Sequence, residues 1–222
     1  MTQPVTYSRE RVIDAAFDLI REAGWSSVSA RAIAQRLGSS TMPIYSHLRS
    51  IAAVELELRR RARTMLKEYQ SRDWTQDVLL NLAFGYIAFA RDERHLFRFL
   101  YIDRPDVITA GELSGMKGFF DSEFGNRPEV IEAIAAVGPG LDSLVEHSWI
   151  FTHGLAMLLS SGSLGHMSDE TVLRLLRNAG EAFYLLEVGR AFGEATEGAS
   201  EEPGSEESEP RATNKEEEGD GT

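Results

Sequence analysis

The 222-residue chain has no cysteine. That absence removes disulfides, thiolate metal ligands and cysteine nucleophiles together, and it fits a reducing cytosol. No run of about 18 apolar residues, the length a membrane-spanning helix needs, occurs anywhere. The opening MTQPVTYSRERVIDAAF has no apolar segment behind a basic start, so a secretory signal is not expected and a cytoplasmic location is. Catalytic signatures are missing too: there is no G-x-S-x-G elbow, no phosphate-binding G-x-x-x-x-G-K loop and no H-E-x-x-H. His147 and His153 stand six residues apart, a spacing that does not put a metal pair on one helical face. No metal, cofactor or enzymatic activity is therefore expected.

A surplus of positive charge is also lacking. The formal net charge is −12, which taken as an average argues against nucleic acid as a partner, because phosphates are met mostly by Lys and Arg. The distribution changes that reading. Residues 1–70 hold 11 Lys/Arg against 7 Asp/Glu, residues 71–193 hold 10 against 17, and residues 194–222 hold 2 against 11. A mildly basic front thus precedes an acidic body and a strongly acidic end. The last segment has almost no large apolar side chain, cannot offset its ordering entropy by burial, and is expected to be a disordered tail over 194–222.

What is present is helical period. No period-2 alternation bounded by turn residues interrupts it, so the fold class is all-α. Val12, Ile13, Ala16, Phe17, Leu19 and Ile20 form one face of a helix over 9–23, ended by Gly24. Ser29 caps a second helix that stops before Gly38, with Val28 and Ile33 at staple spacing. A very short third helix is expected over 40–46, and a fourth, capped by Ser50, to Gln70. Further helices are expected over 74–91, 93–102, 112–124, 128–137, 141–161 and 168–192, separated by Pro105, Gly111, Gly125–Pro128, Gly138–Gly140 and Gly162-Ser163. This organisation gives a head over 1–49, a body over 50–193 and the tail.

The segment from Val28 to Leu48 has the form of a helix-turn-helix. Ala34 is small where two helices cross, Gly38 suits the positive φ between them, and Ile33, Leu37 and Ile44 make a small core. Thr41, Met42, Tyr45 and Ser46 are left outward on the short second helix, followed by His47. With Ser40, Arg49, and Ser29 and Arg31 on the supporting helix, they are the candidate DNA contacts. Pro43 lies in the first turn, where its missing N–H is tolerated but the helical conformation of Met42 is disfavoured.

Ala15-Ala16, Gly24, Ile33-Ala34, Gly38 and Tyr45-Ser46-His47-Leu48 together resemble the tetracycline-repressor-like (TetR/AcrR) family over about the first fifty residues. Trp149-Ile-Phe-Thr-His153-Gly154-Leu155, followed by Gly162, is similar to one of its subgroups. The resemblance implies a three-helix DNA-binding head on a helical ligand-binding and dimerisation bundle. It further implies a transcription regulator, a repressor that binds an inverted-repeat operator on double-stranded DNA as a homodimer and is released by a small apolar effector. Two positions depart from the family: a Lys usually opens the fourth helix, where Ile51 stands with Arg49 as the substitute, and Pro43 occupies the first turn of the recognition helix.

The body carries more apolar residues than one helix face can use. Phe151, Leu155, Leu158, Leu176, Ala179, Phe183 and Leu186 are the candidate homodimer contacts, a thick intramolecular core being the other way to bury them. Tyr86, Phe89, Phe99, Phe119, Phe120, Trp149, His153 and Met157 are the candidate effector-pocket residues, an apolar and aromatic set with a few polar groups. A second functional class stays open: a dimeric helical small-molecule-binding or interaction protein whose DNA head no longer works, supported by Ile51 and the modest front charge.

Overall fold

A computed structural model describes residues 7–105, 124–137 and 141–200. The described residues are helical with no strand, as the sequence period requires. Helix α1 (Arg9–Ala23) starts where the Ser8 hydroxyl accepts from the Arg11 N–H. It buries Val12, Ile13, Ala16, Phe17 and Ile20 and ends at Gly24, whose φ is 80°. A 3₁₀ turn, Trp25–Ser27, leads to α2 (Ala30–Leu37), capped by the Ser29 hydroxyl and closed by Gly38 in the left-handed region at φ 64°. Helix α3 (Met42–Leu48) follows, then α4 (Ile51–Gln70), capped by Ser50.

The body consists of α5 (Val78–Asp92), α6 (Arg94–Arg98), α7 (Pro128–Val137), α8 (Leu141–Ser160) and α9 (Asp169–Ser200). A π-helical stretch, Phe99–Asp103, continues α6. Helix α5 is the centre of the molecule: Leu80 to Ala90 is buried apart from half-buried Ala83, and α4, α6, α7, α8 and α9 all lie against it. One continuous core joins head and body through Phe17, Ile20, Val54, Leu58, Phe89, Leu96 and Phe99.

Four boundaries differ from the sequence expectation by two residues or more. Helix α3 begins at Met42 rather than Ser40, because Ser40 and Thr41 form the turn in which the Ser40 hydroxyl accepts the Met42 N–H. It runs two residues beyond Ser46. Helix α5 begins at Val78 rather than 74, because Trp74 is diverted: its indole N–H donates to the Tyr69 carbonyl at 3.0 Å, and Asp77 supplies the cap. Helix α9 continues to Ser200, so residues 194–200, expected as the start of a disordered tail, are helical. Extending a formed helix through Glu and Ala needs no new nucleus. The helix expected over 112–124 lies outside the described residues except at Phe124, and residues 201–222 also lie outside them.

Candidate nucleic-acid interface

The turn between α2 and α3 is made by local chemistry. Gly38 donates to the carbonyls of Ala34 and Gln35, and the Ser39 N–H reaches back to Ala34 at 2.9 Å, a pairing that needs the left-handed residue between them. Ile44 and Leu48, four apart, seat α3 against α1 and α4. Met42, Tyr45 and Ser46, at the complementary spacing, point to solvent.

All nine sequence-predicted contacts are exposed: Ser29, Arg31, Ser40, Thr41, Met42, Tyr45, Ser46, His47 and Arg49. Arg31, Ser40 and Thr41 come together in one cleft with Ala34, Gln35 and Ser39, so Gln35 joins the set that spacing alone proposed. His47 does more than face outward. Its Nε2 donates to the Tyr7 carbonyl at 2.6 Å, while the Tyr7 hydroxyl donates to the Leu37 carbonyl at 2.6 Å. Tyr7 thus ties the ends of α2 and α3 together, a role that no local pattern in the sequence signals.

Charge is distributed unevenly over the head. Arg9 pairs with Glu57, Arg21 with Glu93, Arg36 with Glu22, Arg60 with Glu57 and Arg61 with Asp14. Arg11 lies over the Tyr7 ring. Arg31 and Arg49 have no carboxylate within ion-pair distance among the described residues. Those two guanidinium groups flank α3, at the start of α2 and just past Leu48.

Arg49 also carries backbone strain. Its φ of 61° with ψ −31° is the one positive φ found at a described residue other than glycine. Such a conformation costs on the order of 1–3 kcal/mol in a residue with a Cβ. Arg49→Gly is therefore expected to raise stability by about 1 kcal/mol in urea unfolding. An unchanged or lowered midpoint would show that the Arg49 side chain contributes more to folding than its backbone costs.

Deeper in the body, five rings converge between α5, α6 and α8. The Tyr86 hydroxyl lies 2.8 Å from His153 Nδ1, Trp149 stacks on His153 at 5.0 Å and 8°, and Phe97 and Tyr101 close the cluster on Tyr86. Of the predicted pocket residues, Tyr86, Trp149 and His153 are brought together, and Met157 is half-buried against the core one turn further along α8. Phe89 and Phe99 are not part of it: Phe89 is edge-on to Tyr69, and Phe99 stacks on Trp25 of the head at 5.1 Å. Phe119 and Phe120 lie outside the described residues. Phe97 and Tyr101 were absent from the predicted set. Their four-residue spacing puts them on one face of α6 and its extension, opposite Phe99, and that period was the available signal.

Burial lowers the basicity of His153 below its ordinary value of 6.5 and raises the Tyr86 phenol well above its own. With the phenol donating, His153 is the neutral tautomer that accepts at Nδ1. The unfolded chain then takes up this proton more readily than the folded one. The His153 contribution to stability is full above the unfolded value and is lost as pH falls through it toward the lower folded value. Urea midpoints followed from about pH 7.5 to about pH 5.5 are expected to fall more steeply for the native chain than for His153→Gln. Parallel curves would show that His153 does not titrate in this window.

The predicted dimer contacts divide in two. Leu155 and Leu176 are 7% and 5% exposed and belong to the chain's own core, the alternative to a dimer contact that the sequence left open. Phe151 and Phe183 are half-buried and edge-on to each other at 6.3 Å, and Ala179 is half-buried. Leu158 and Leu186 are exposed, as are Ile150, Tyr184 and Leu185, the last at 66%. The two C-terminal helices therefore carry an apolar surface in addition to the face that packs on α5.

A helix-turn-helix head is thus fused through a shared core to an all-α body. No protein-family model and no curated protein matches the chain. Among solved structures it is similar to the crystal structure of a TetR-like transcriptional regulator from Rhodococcus sp. RHA1. That similarity has a TM-score of 0.50 and 16% sequence identity, and covers 81% of this chain and 96% of that one. The fold is TetR-like.

Proposed function

We propose that this chain is a DNA-binding transcription regulator: a homodimer that occupies an inverted-repeat operator as a repressor and leaves it when a small apolar effector binds the body. The observation that carries the reading is the placement of unneutralised charge. The arginines of α1 are engaged, Arg9 by Glu57, Arg21 by Glu93 and Arg11 by the Tyr7 ring, whereas Arg31 and Arg49, on either side of exposed α3, have no carboxylate partner among the described residues. They are available to phosphates flanking a helix seated in the major groove. The same placement weighs against a head that no longer works, since Arg49 stands beside the Ile51 that replaces the usual cation.

A second copy joined through the exposed side of α8 and α9 would set two recognition helices across a two-fold axis, and the spacing of the two would select the half-site separation. The body offers a route from effector to head. Tyr101 of the ring cluster and Phe99 against Trp25 lie on the same π-helical stretch, so a ligand that displaces Tyr101 also shifts the seam with the head. Only a ligand that binds one arrangement better than the other changes the occupancy of DNA.

The test is selection of random double-stranded DNA by the full-length, effector-free protein, run beside Tyr45→Ala. An inverted repeat is expected to emerge. Loss of a phenol hydrogen bond to phosphate is expected to weaken its binding about tenfold per head. Affinity should fall steeply with salt, with a smaller slope in Arg49→Gly. If no sequence is enriched at low salt from a folded dimer, the regulator reading is wrong.

A further inference from the structure

The outward surface of α3 is poor in the groups that read bases. Between Arg36 and Arg49 there is no Asn, Gln, Lys or Arg, so the turn and the helix carry none of the side chains that grip guanine or adenine by paired hydrogen bonds. Several polar groups that are present are already engaged. The Ser46 hydroxyl donates to the Pro43 carbonyl at 3.0 Å, the Ser39 hydroxyl donates to the Ser40 carbonyl at 2.9 Å, and the Ser40 oxygen accepts the Met42 N–H. His47 is held by the Tyr7 carbonyl. Gln35 is an amide, but it stands on α2 and lines the cleft with Arg31.

What α3 offers instead is Met42. At 75% it is the most exposed large apolar side chain among the described residues, and it opens the helix beside half-buried Pro43. One feature of the major groove is apolar and specific to a single base: the thymine 5-methyl group. An unbranched, polarizable thioether adapts readily to such a contact.

We infer that Met42 packs on a thymine 5-methyl group in each half-site, so that the operator carries a fixed thymine where the start of α3 enters the groove. The inference rests on the DNA-binding reading above and adds the base and the side chain that reads it. Positive charge at Arg31 and Arg49 fixes position on the backbone, and the methyl contact supplies discrimination.

The experiment uses the full chain and the operator enriched by selection. Each thymine is replaced in turn by deoxyuridine, which lacks only the methyl group, and binding is measured for the native chain and for Met42→Ala. The substitution leaves the core untouched, and circular dichroism of both proteins checks that. One symmetry-related pair of thymines is expected to stand out in the native protein, with uracil weakening binding about fourfold per half-site and about fifteenfold at both. Met42→Ala is expected to bind thymine and uracil operators equally. Tolerance of uracil at every position of an enriched operator would overturn the inference and leave DNA binding standing. A uracil penalty that persists in Met42→Ala would overturn it too, because another group would then be reading the methyl. Failure to enrich any operator would overturn both readings.

Discussion

Gly85→Ala is expected to destabilise the folded chain by about 3 kcal/mol. In an exposed helix the same change would stabilise by about 1 kcal/mol, since alanine is the better helix former. Gly85 lies where α5 crosses the end of α4. A Cβ there would press into the Tyr69 carbonyl group and stand 2.6 Å from Gln70 Cα. Both obstacles are backbone, so no side chain can swing aside. The end of α4 is further fixed by the Trp74 indole donating to Tyr69 and the Gln70 amide donating to the Leu82 carbonyl at 3.2 Å. The sign of the change in urea unfolding is therefore diagnostic. A gain in stability would mean that α4 and α5 can separate without losing what holds them.

The second large effect is expected at the seam between head and body. Phe99 is fully buried, stacks on Trp25 and has the Arg59 guanidinium 5.3 Å from its ring centroid. Nearby, Arg21 pairs with Glu93, and Arg104 lies over Trp25. Phe99→Ala removes a large side chain from a site that the surrounding helices hold open, and is expected to cost about 4 kcal/mol. The test compares its urea midpoint with the native one. A cost below about 1 kcal/mol would show that the seam closes around the missing ring and does not couple the two parts.

The resemblance read from Ala15-Ala16, Gly24, Ile33-Ala34, Gly38 and Tyr45-x-His47 led to a TetR-like fold, and the structural comparison gives that fold. The outward residues of α3 were legible as well, because a seven-residue helix with Ile44 and Leu48 turned inward leaves few other positions free. Which of the candidate pocket residues pack together was legible only in part. Tyr86, Trp149 and His153 meet, but Phe89 and Phe99 serve the core and the seam, and Phe97 and Tyr101 replace them in the ring cluster. Aromatic content cannot tell one packed cluster from another when several adjoin one central helix. Whether Leu155 and Leu176 serve the core or a second copy was open for a similar reason: a helix apolar on more than one side does not declare which side its own chain covers.

By itself the sequence determined what is local. The helices follow from a period of 3.6 residues, their starts from hydroxyls at Ser29 and Ser50 one residue ahead of each, and the turn from the freedom of Gly38 to take a positive φ. Tertiary structure alone decided what depends on residues far apart along the chain. It chose which arginines meet carboxylates, such as Arg9 with Glu57 and Arg61 with Asp14, and left Arg31 and Arg49 beside α3 with no carboxylate partner among the described residues. It set Tyr7 across the ends of α2 and α3 and brought Phe99 to Trp25. Such contacts are fixed by the packing of whole helices, for which no spacing within a single helix carries the information.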